Sequence, residues 1–123
     1  MDRKETAERG EDAAAAYLER IGMMIETRNW RCSAGEIDIV ARDGGALVFV
    51  EVKTRRSERA GTAEEAVSPA KQRRICRLAA TYMATQASAP PDEVRFDVVA
   101  IHVIAPDRAL LRHHRAAFEF GSS

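Results

Sequence analysis

The chain is poor in cysteine, carries no net charge and has no long apolar run. Its two cysteines, Cys32 and Cys76, lie far apart with no C-x-x-C spacing. This argues against a disulfide framework and leaves reduced thiols in a cytosolic protein. The 19 basic residues match the 19 acidic ones, so bulk charge announces no nucleic-acid partner. No apolar stretch approaches the ~20 residues of a membrane span. The N-terminus, MDRKETAERGEDA, is too polar for a signal peptide. A soluble cytoplasmic protein with no membrane partner is expected. There is no internal repeat and no low-complexity tract beyond Ala13–Ala16.

What is present is an ordinary globular mix in 123 residues, which suits one domain spanning 1–123. Residues 1–4 and 121–123 are expected to be flexible. The zero balance hides an uneven distribution. Between residues 53 and 77, eight basic side chains face three acidic ones, whereas residues 1–20 are net acidic.

Helical spacing of Ala7, Ala14, Tyr17, Leu18 and Ile21 predicts a first helix over about 4–21, ended by Gly22. Strands are predicted over 23–31, 36–42 and 47–54, and the polar segment 55–66 reads as a loop. Ser68-Pro69 has the chemistry of a helix start, with Ser as N-cap and Pro in the first turn. The apolar stripe that follows runs to about residue 87. A further strand is predicted around 96–101, and LLRHHRAAFEF fits no single element. The order α-β-β-β-α-β predicts an α/β domain with a mixed central sheet.

The stretch GEIDIVARDGGALVFVEVKTR places charge inside the two strands that should be most buried. Gly44-Gly45 suits a two-residue hairpin turn, because primed turns need positive φ. Paired residue numbers then sum to 89, which sets Asp38 opposite Glu51 and Glu36 opposite Lys53. All four share one face, and Ile37, Ile39, Val48, Val50 and Val52 share the other. Opposed acids repel unless a divalent cation joins them, and oxygen ligands at ~2.1 Å suit Mg²⁺ or Mn²⁺. Lys53, in the same row, would stabilise charge on a phosphate or orient a water. The plainer alternative is a Glu36–Lys53 ion pair with Asp38 and Glu51 solvated. Glu11 sits on or beside the first helix's apolar stripe, as a further ligand or as a boundary residue paired with an Arg.

Asp, twelve residues, then Glu-x-Lys, with a helical Glu upstream, looks like the PD-(D/E)xK nuclease superfamily. The segments GEDAAAAYLERIG, TRNWRCSAGEIDIVARD, LVFVEVKTR, KQRRICRLAATYM and RFDVVAI resemble the YraN-like family of small bacterial proteins, itself similar to archaeal Holliday junction resolvases. The resemblance covers roughly residues 10–101. It implies a restriction-endonuclease-like core and hydrolysis of phosphodiester bonds in DNA, branched or otherwise structured. Asp38 and Glu51 then match the metal carboxylates, Lys53 the catalytic lysine and Glu11 the helical acid. The carbonyl of Val52 is a further ligand candidate. Gln72 falls where some relatives carry a polar active-site residue, and Glu36 is an accessory acid. Asp97 matches the RFDVV segment, where a salt bridge to a nearby Arg is expected. Resolvase-like relatives act as dimers, which admits a homodimer here. The same fold also admits a catalytically silent nucleic-acid-binding module.

The basic group Arg55, Arg56, Lys71, Arg74 and Arg77 flanks this site in sequence and suits contact with phosphates of DNA, RNA being left open. Charge on a solvated helix is its alternative. Adjacent His113 and His114, the isolated His102 and the single Trp30 read as structural.

Overall fold

The computed structural model describes residues 2–56, 67–86 and 90–119. Seven elements follow in chain order: α1 Arg3–Arg20, β1 Met24–Cys32, β2 Gly35–Asp43, β3 Ala46–Arg55, α2 Pro69–Thr85, β4 Glu93–Ala105 and β5 Arg108–Phe118. The strands form one mixed sheet in the order β1-β2-β3-β4-β5, antiparallel throughout except for the β3–β4 pair. That parallel pair needs a crossover, and the segment carrying α2 supplies it. The strand β5 adds to the expected order and gives LLRHHRAAF, residues 110–118, its place at a sheet edge. The expected loop over 55–66 lies mostly outside the described residues, and Arg55 itself ends β3. At the other end α1 begins at Arg3, inside the stretch expected to be flexible, with Asp2 as N-cap accepting from Glu5 N–H at 2.8 Å.

Both faces of the sheet are buried. Under α2 lie Leu47, Phe49, Phe96 and Val98, met by Ile75, Leu78, Ala79 and Tyr82. Under α1 lie Ile39, Ala41, Val48, Val50, Val99 and Ile101, met by Ala14, Ala15 and Leu18. The result is a three-layer α/β/α arrangement, whose central strands need apolar side chains on both sides. Trp30 packs edge-to-face on Tyr82 at the border of the α2-side core. Both cysteines are free thiols. Among the described residues no helix is long and apolar enough to cross a membrane.

The first helix meets the sheet by a stripe that keeps the expected Ala14 and Leu18, with Tyr17 packed against the same core, but departs from expectation at both ends. Its buried positions are Thr6, Gly10, Ala14, Ala15 and Leu18, whereas Ala7 and Ile21 are exposed. Positions 6, 10, 14 and 18 repeat every four residues and are small up to Ala14, so the helix comes close to β3. A Cβ built at Gly10 would fall 2.0 Å from Thr54 Oγ1. This close approach brings Glu11, the next residue, to the edge of the site.

The hairpin register follows the expected sum of 89 from Asp43↔Ala46 to Ile39↔Val50. There the ladder ends. Ile37 joins the core under α2 while Ile39 joins the core under α1, so the expected common face of Ile37, Ile39, Val48, Val50 and Val52 does not hold. Alternation slips at Asp38 because its carboxylate leaves the row and accepts a hydrogen bond from the backbone N–H of Val52 at 2.8 Å. The sheet forks at this point, and the fork is where the charged side chains collect.

Candidate active site

A cleft of about 580 Å³ opens at the fork, lined by Glu11 and Thr6 from α1, Asp38 from β2, Glu51 to Thr54 from β3, and Lys71 from α2. Each element presents its residue for a local reason. Gly10 lets α1 sit low enough to present Glu11. The end of the β2–β3 ladder frees Asp38. Ser68, accepting from Lys71 N–H at 3.2 Å, starts α2 so that Lys71 lies in its first turn.

The acids fall into two groups that share Asp38. In one, the carboxyls of Asp38 and Glu51 are hydrogen-bonded to each other. Burial pushes Asp38 up to about 8, and the adjacent Glu51 carboxylate adds to that rise. Burial works to raise Glu51 as well, but the bonds from Asp38 and Lys71 outweigh it and hold Glu51 below the usual carboxylate range. The pair therefore favours holding one proton between two part-buried acids, which avoids placing two like charges side by side. In the other group, ligand oxygens of Glu11, Glu36 and Asp38 all lie within 4.8 Å of one another.

The cations are arranged differently from the expectation. Glu36 does not pair with Lys53; its carboxylate accepts from Arg31 Nε at 2.6 Å, on the neighbouring strand β1. Glu51 is the acid nearest both lysines, with Lys71 Nζ at 2.7 Å and Lys53 Nζ at 3.8 Å. Burial and the neighbouring Lys71 together lower Lys53, whose attraction to Glu51 only partly restores it. Burial also disfavours the Lys71 ammonium, but its contact with Glu51 prevails and raises it. Lys71 was grouped by sequence with the phosphate-contacting basic residues, yet it is a wall of the cleft.

The remaining predicted residues take varied places. Arg56 lines the cleft from just beyond β3. Arg55 is part-buried beside His102 in the β3–β4 register, and its Nε has no hydrogen-bond partner among the described residues. Arg74 and Arg77 are exposed on α2 outside the cleft. Gln72 is drawn away: its amide donates to the carbonyl of Val67 at 2.9 Å, fastening the start of α2.

Asn29 was missed by sequence reading. Its Nδ2 donates to Glu11 Oε1 at 2.7 Å and reaches Glu36 Oε1 at 3.4 Å. It holds a φ of 52°, a conformation asparagine tolerates better than most residues with a Cβ. The one sequence hint was an asparagine inside a strand, where that residue is poorly suited.

Asp97 belongs to a second, separate network on the α1 side of the sheet. It is fully buried and accepts two bonds from Arg95, at 2.9 and 3.0 Å, as the expected salt bridge. Ala116 N–H donates to it at 3.0 Å, and His113 Nε2 lies 2.7 Å away. Burial alone would raise this acid, but these partners hold it at about 2. His113 in turn meets Tyr17 of α1 at 3.1 Å.

A mixed sheet between two helices, forked at a set of acids and lysines, defines an α/β domain of the restriction-endonuclease-like class. The chain belongs to the Uncharacterised protein family UPF0102, which matches residues 10–101 and is the YraN-like family that the motifs resemble. It is 51% identical over 111 residues to the UPF0102 protein of Geobacter sulfurreducens, covering 90% of this chain and 86% of that one. To the UPF0102 protein of Symbiobacterium thermophilum it is 55% identical over 98 residues, 80% and 82% of the two chains. To that of Nocardia farcinica it is 44% identical over 117 residues, 95% and 91%.

Proposed function

We propose that the protein is a divalent-metal-dependent nuclease that hydrolyses phosphodiester bonds in branched or otherwise structured DNA. The observation that carries this reading is the Asp38–Glu51 pair. Two part-buried acids that share a proton, with Glu11 and Glu36 close to one of them, make a donor set of hard oxygens suited to a divalent cation. Mg²⁺ or Mn²⁺ would be held by Asp38, Glu51, Glu11 and the Val52 carbonyl, which all line the cleft, with Glu36 as accessory. When bound, such an ion polarises a phosphoryl group and makes water a better nucleophile.

The other roles belong to the chain itself. Burial and the neighbouring Lys71 lower Lys53, which faces the cleft beside Glu51 and in its charged form would donate to a phosphoryl oxygen. Asn29 holds Glu11 in place from β1. Lys71, Arg55 and Arg56 offer cations to the flanking phosphates. Resemblance to Holliday junction resolvases supports a branched substrate and a homodimer as the working assembly.

One observation favours a second reading, a catalytically silent nucleic-acid-binding module. Lys71 already neutralises Glu51 at 2.7 Å, so the cleft is charge-balanced without an ion. A cleavage assay separates the two, using Mg²⁺ or Mn²⁺ with duplex, single-stranded, flap and four-way-junction DNA. The nuclease reading expects cutting that Glu51→Gln and Lys53→Met each abolish with the fold intact by circular dichroism. Cleavage persisting in both variants refutes this site. No cutting, with DNA binding that survives Asp38→Asn, selects the silent module.

A further inference from the structure

A second cavity, of about 310 Å³, lies between α1 and the β4–β5 hairpin. That is the small end of the range for ligand pockets. Its floor is apolar: buried Ile101 and part-buried Val103 are alternate residues of β4 that face α1, where Gly10 and Ala13 leave room. Its rim is cationic. Arg9 comes from α1, Arg56 from beyond β3 and Arg108 from the start of β5, against one acid, Asp107. Arg9 and Arg108 are exposed, and neither has an ion-pair partner among the described residues.

The position of this cavity is as informative as its lining. Thr6, Thr54 and Arg56 line both it and the cleft that holds Asp38 and Glu51. An occupant here therefore sits immediately beside whatever occupies the acids. An apolar slot ringed by guanidinium groups complements a planar base carried between two phosphates. A base stacked and paired in a duplex has no access to such a slot, because its faces and its edge are already occupied.

We propose that the cavity receives the base of an unpaired DNA nucleotide next to the phosphodiester at the acidic cleft, with Arg9, Arg56 and Arg108 on its flanking phosphates. The proposal rests on the nuclease reading and deepens it by naming the substrate class: DNA with an unpaired nucleotide beside the cut.

The test uses the whole chain, without divalent ions, and a fluorescein-labelled DNA fork with a single-stranded arm. A matched set of forks carries one abasic site stepped along that arm, and binding is read by anisotropy. In the wild type, the abasic site at one position should weaken binding about tenfold, the scale of burying about 60 Å² of a base's apolar surface. In Val103→Phe, which fills the floor, that position should become indifferent. Ala109→Phe intrudes from the rim and serves if Val103→Phe does not fold. Binding insensitive to every abasic position overturns the proposal, as does base dependence that survives a folded, filled variant. So does free deoxyadenosine monophosphate binding as tightly as the fork, which would make this a mononucleotide site. The two readings fail separately. Metal-dependent cutting without base dependence removes only the pocket, whereas base dependence without cutting removes only the hydrolysis.

Discussion

Replacing Asp97 with Asn is the sharpest test of how the sheet's charged interior is held. The carboxylate is fully buried and takes two bonds from Arg95, one from Ala116 N–H and a contact from His113. Its acidity is held at about 2 against an ordinary value of 3.8. That difference corresponds to ~2 kcal/mol at neutral pH. Asparagine also points an amide N–H₂ at donors, leaving part of the Arg95 charge buried with Asp43 as its one remaining acid. Breaking a buried pair from one side costs about 3–5 kcal/mol. Asp97→Asn should therefore lower stability by about 3 kcal/mol near pH 7, a fall of ~1–2 M in the urea midpoint. The pH dependence has a definite sign. A folded-state value below the unfolded one gives stability that is present above about 4 and lost as pH falls through about 2. The gap between wild type and variant should therefore narrow between pH 6 and 2. A loss under ~1 kcal/mol at pH 7, or a gap constant with pH, would refute the account.

Three further outcomes are expected. Mn²⁺ must displace the proton from Asp38, so its affinity should rise about tenfold from pH 7 to 9, with calorimetric proton release that fades over the same range; a flat profile contradicts the shared-proton site. Lys71→Met removes a cation 2.7 Å from Glu51 and should tighten Mn²⁺ binding several-fold while weakening DNA binding, and weaker Mn²⁺ binding would contradict the competition. Gly10→Ala gains ~1 kcal/mol of helix propensity yet should lower the melting temperature, because its Cβ meets Thr54 Oγ1 at 2.0 Å. Adding Thr54→Ala should restore most of that loss, and no restoration would mean that α1 is not held by this contact.

Sequence periodicity located the helices and the first four strands because each carries a local signal: Ser68-Pro69 at a helix start, Gly44-Gly45 in a turn, β-branched runs in strands. It also set the hairpin register over the five pairs from Asp43↔Ala46 to Ile39↔Val50. It went astray where a polar side chain replaces a backbone partner. Asp38 bonding to Val52 N–H ends the ladder, and no alternation rule anticipates that. The strand β5 was obscured because its residues Arg108–Phe118 are mostly exposed at a sheet edge and show no alternation of apolar side chains. The buried stripe of α1 was legible at Ala14 and Leu18 but not toward its start, where Thr6 and Gly10 are buried for smallness and the periodic count looked for apolar residues. Lys71 and Asn29 enter the site from elements distant in sequence, and only the fold joins them to Asp38 and Glu51.

The bond between Asp38 and Val52 N–H bears on how loss-of-function variants should be read. One side chain both supplies an acid and substitutes for the missing β2 neighbour of β3. Truncation to alanine strips an acceptor from a part-buried amide, at a cost of about 1–3 kcal/mol, and loosens the β2-side edge of β3 beside Lys53, which β4 alone then holds. An inert alanine variant would thus be ambiguous between lost chemistry and a loosened strand edge. The isosteric amide keeps an oxygen for Val52 and removes the group that titrates, which makes it the informative replacement.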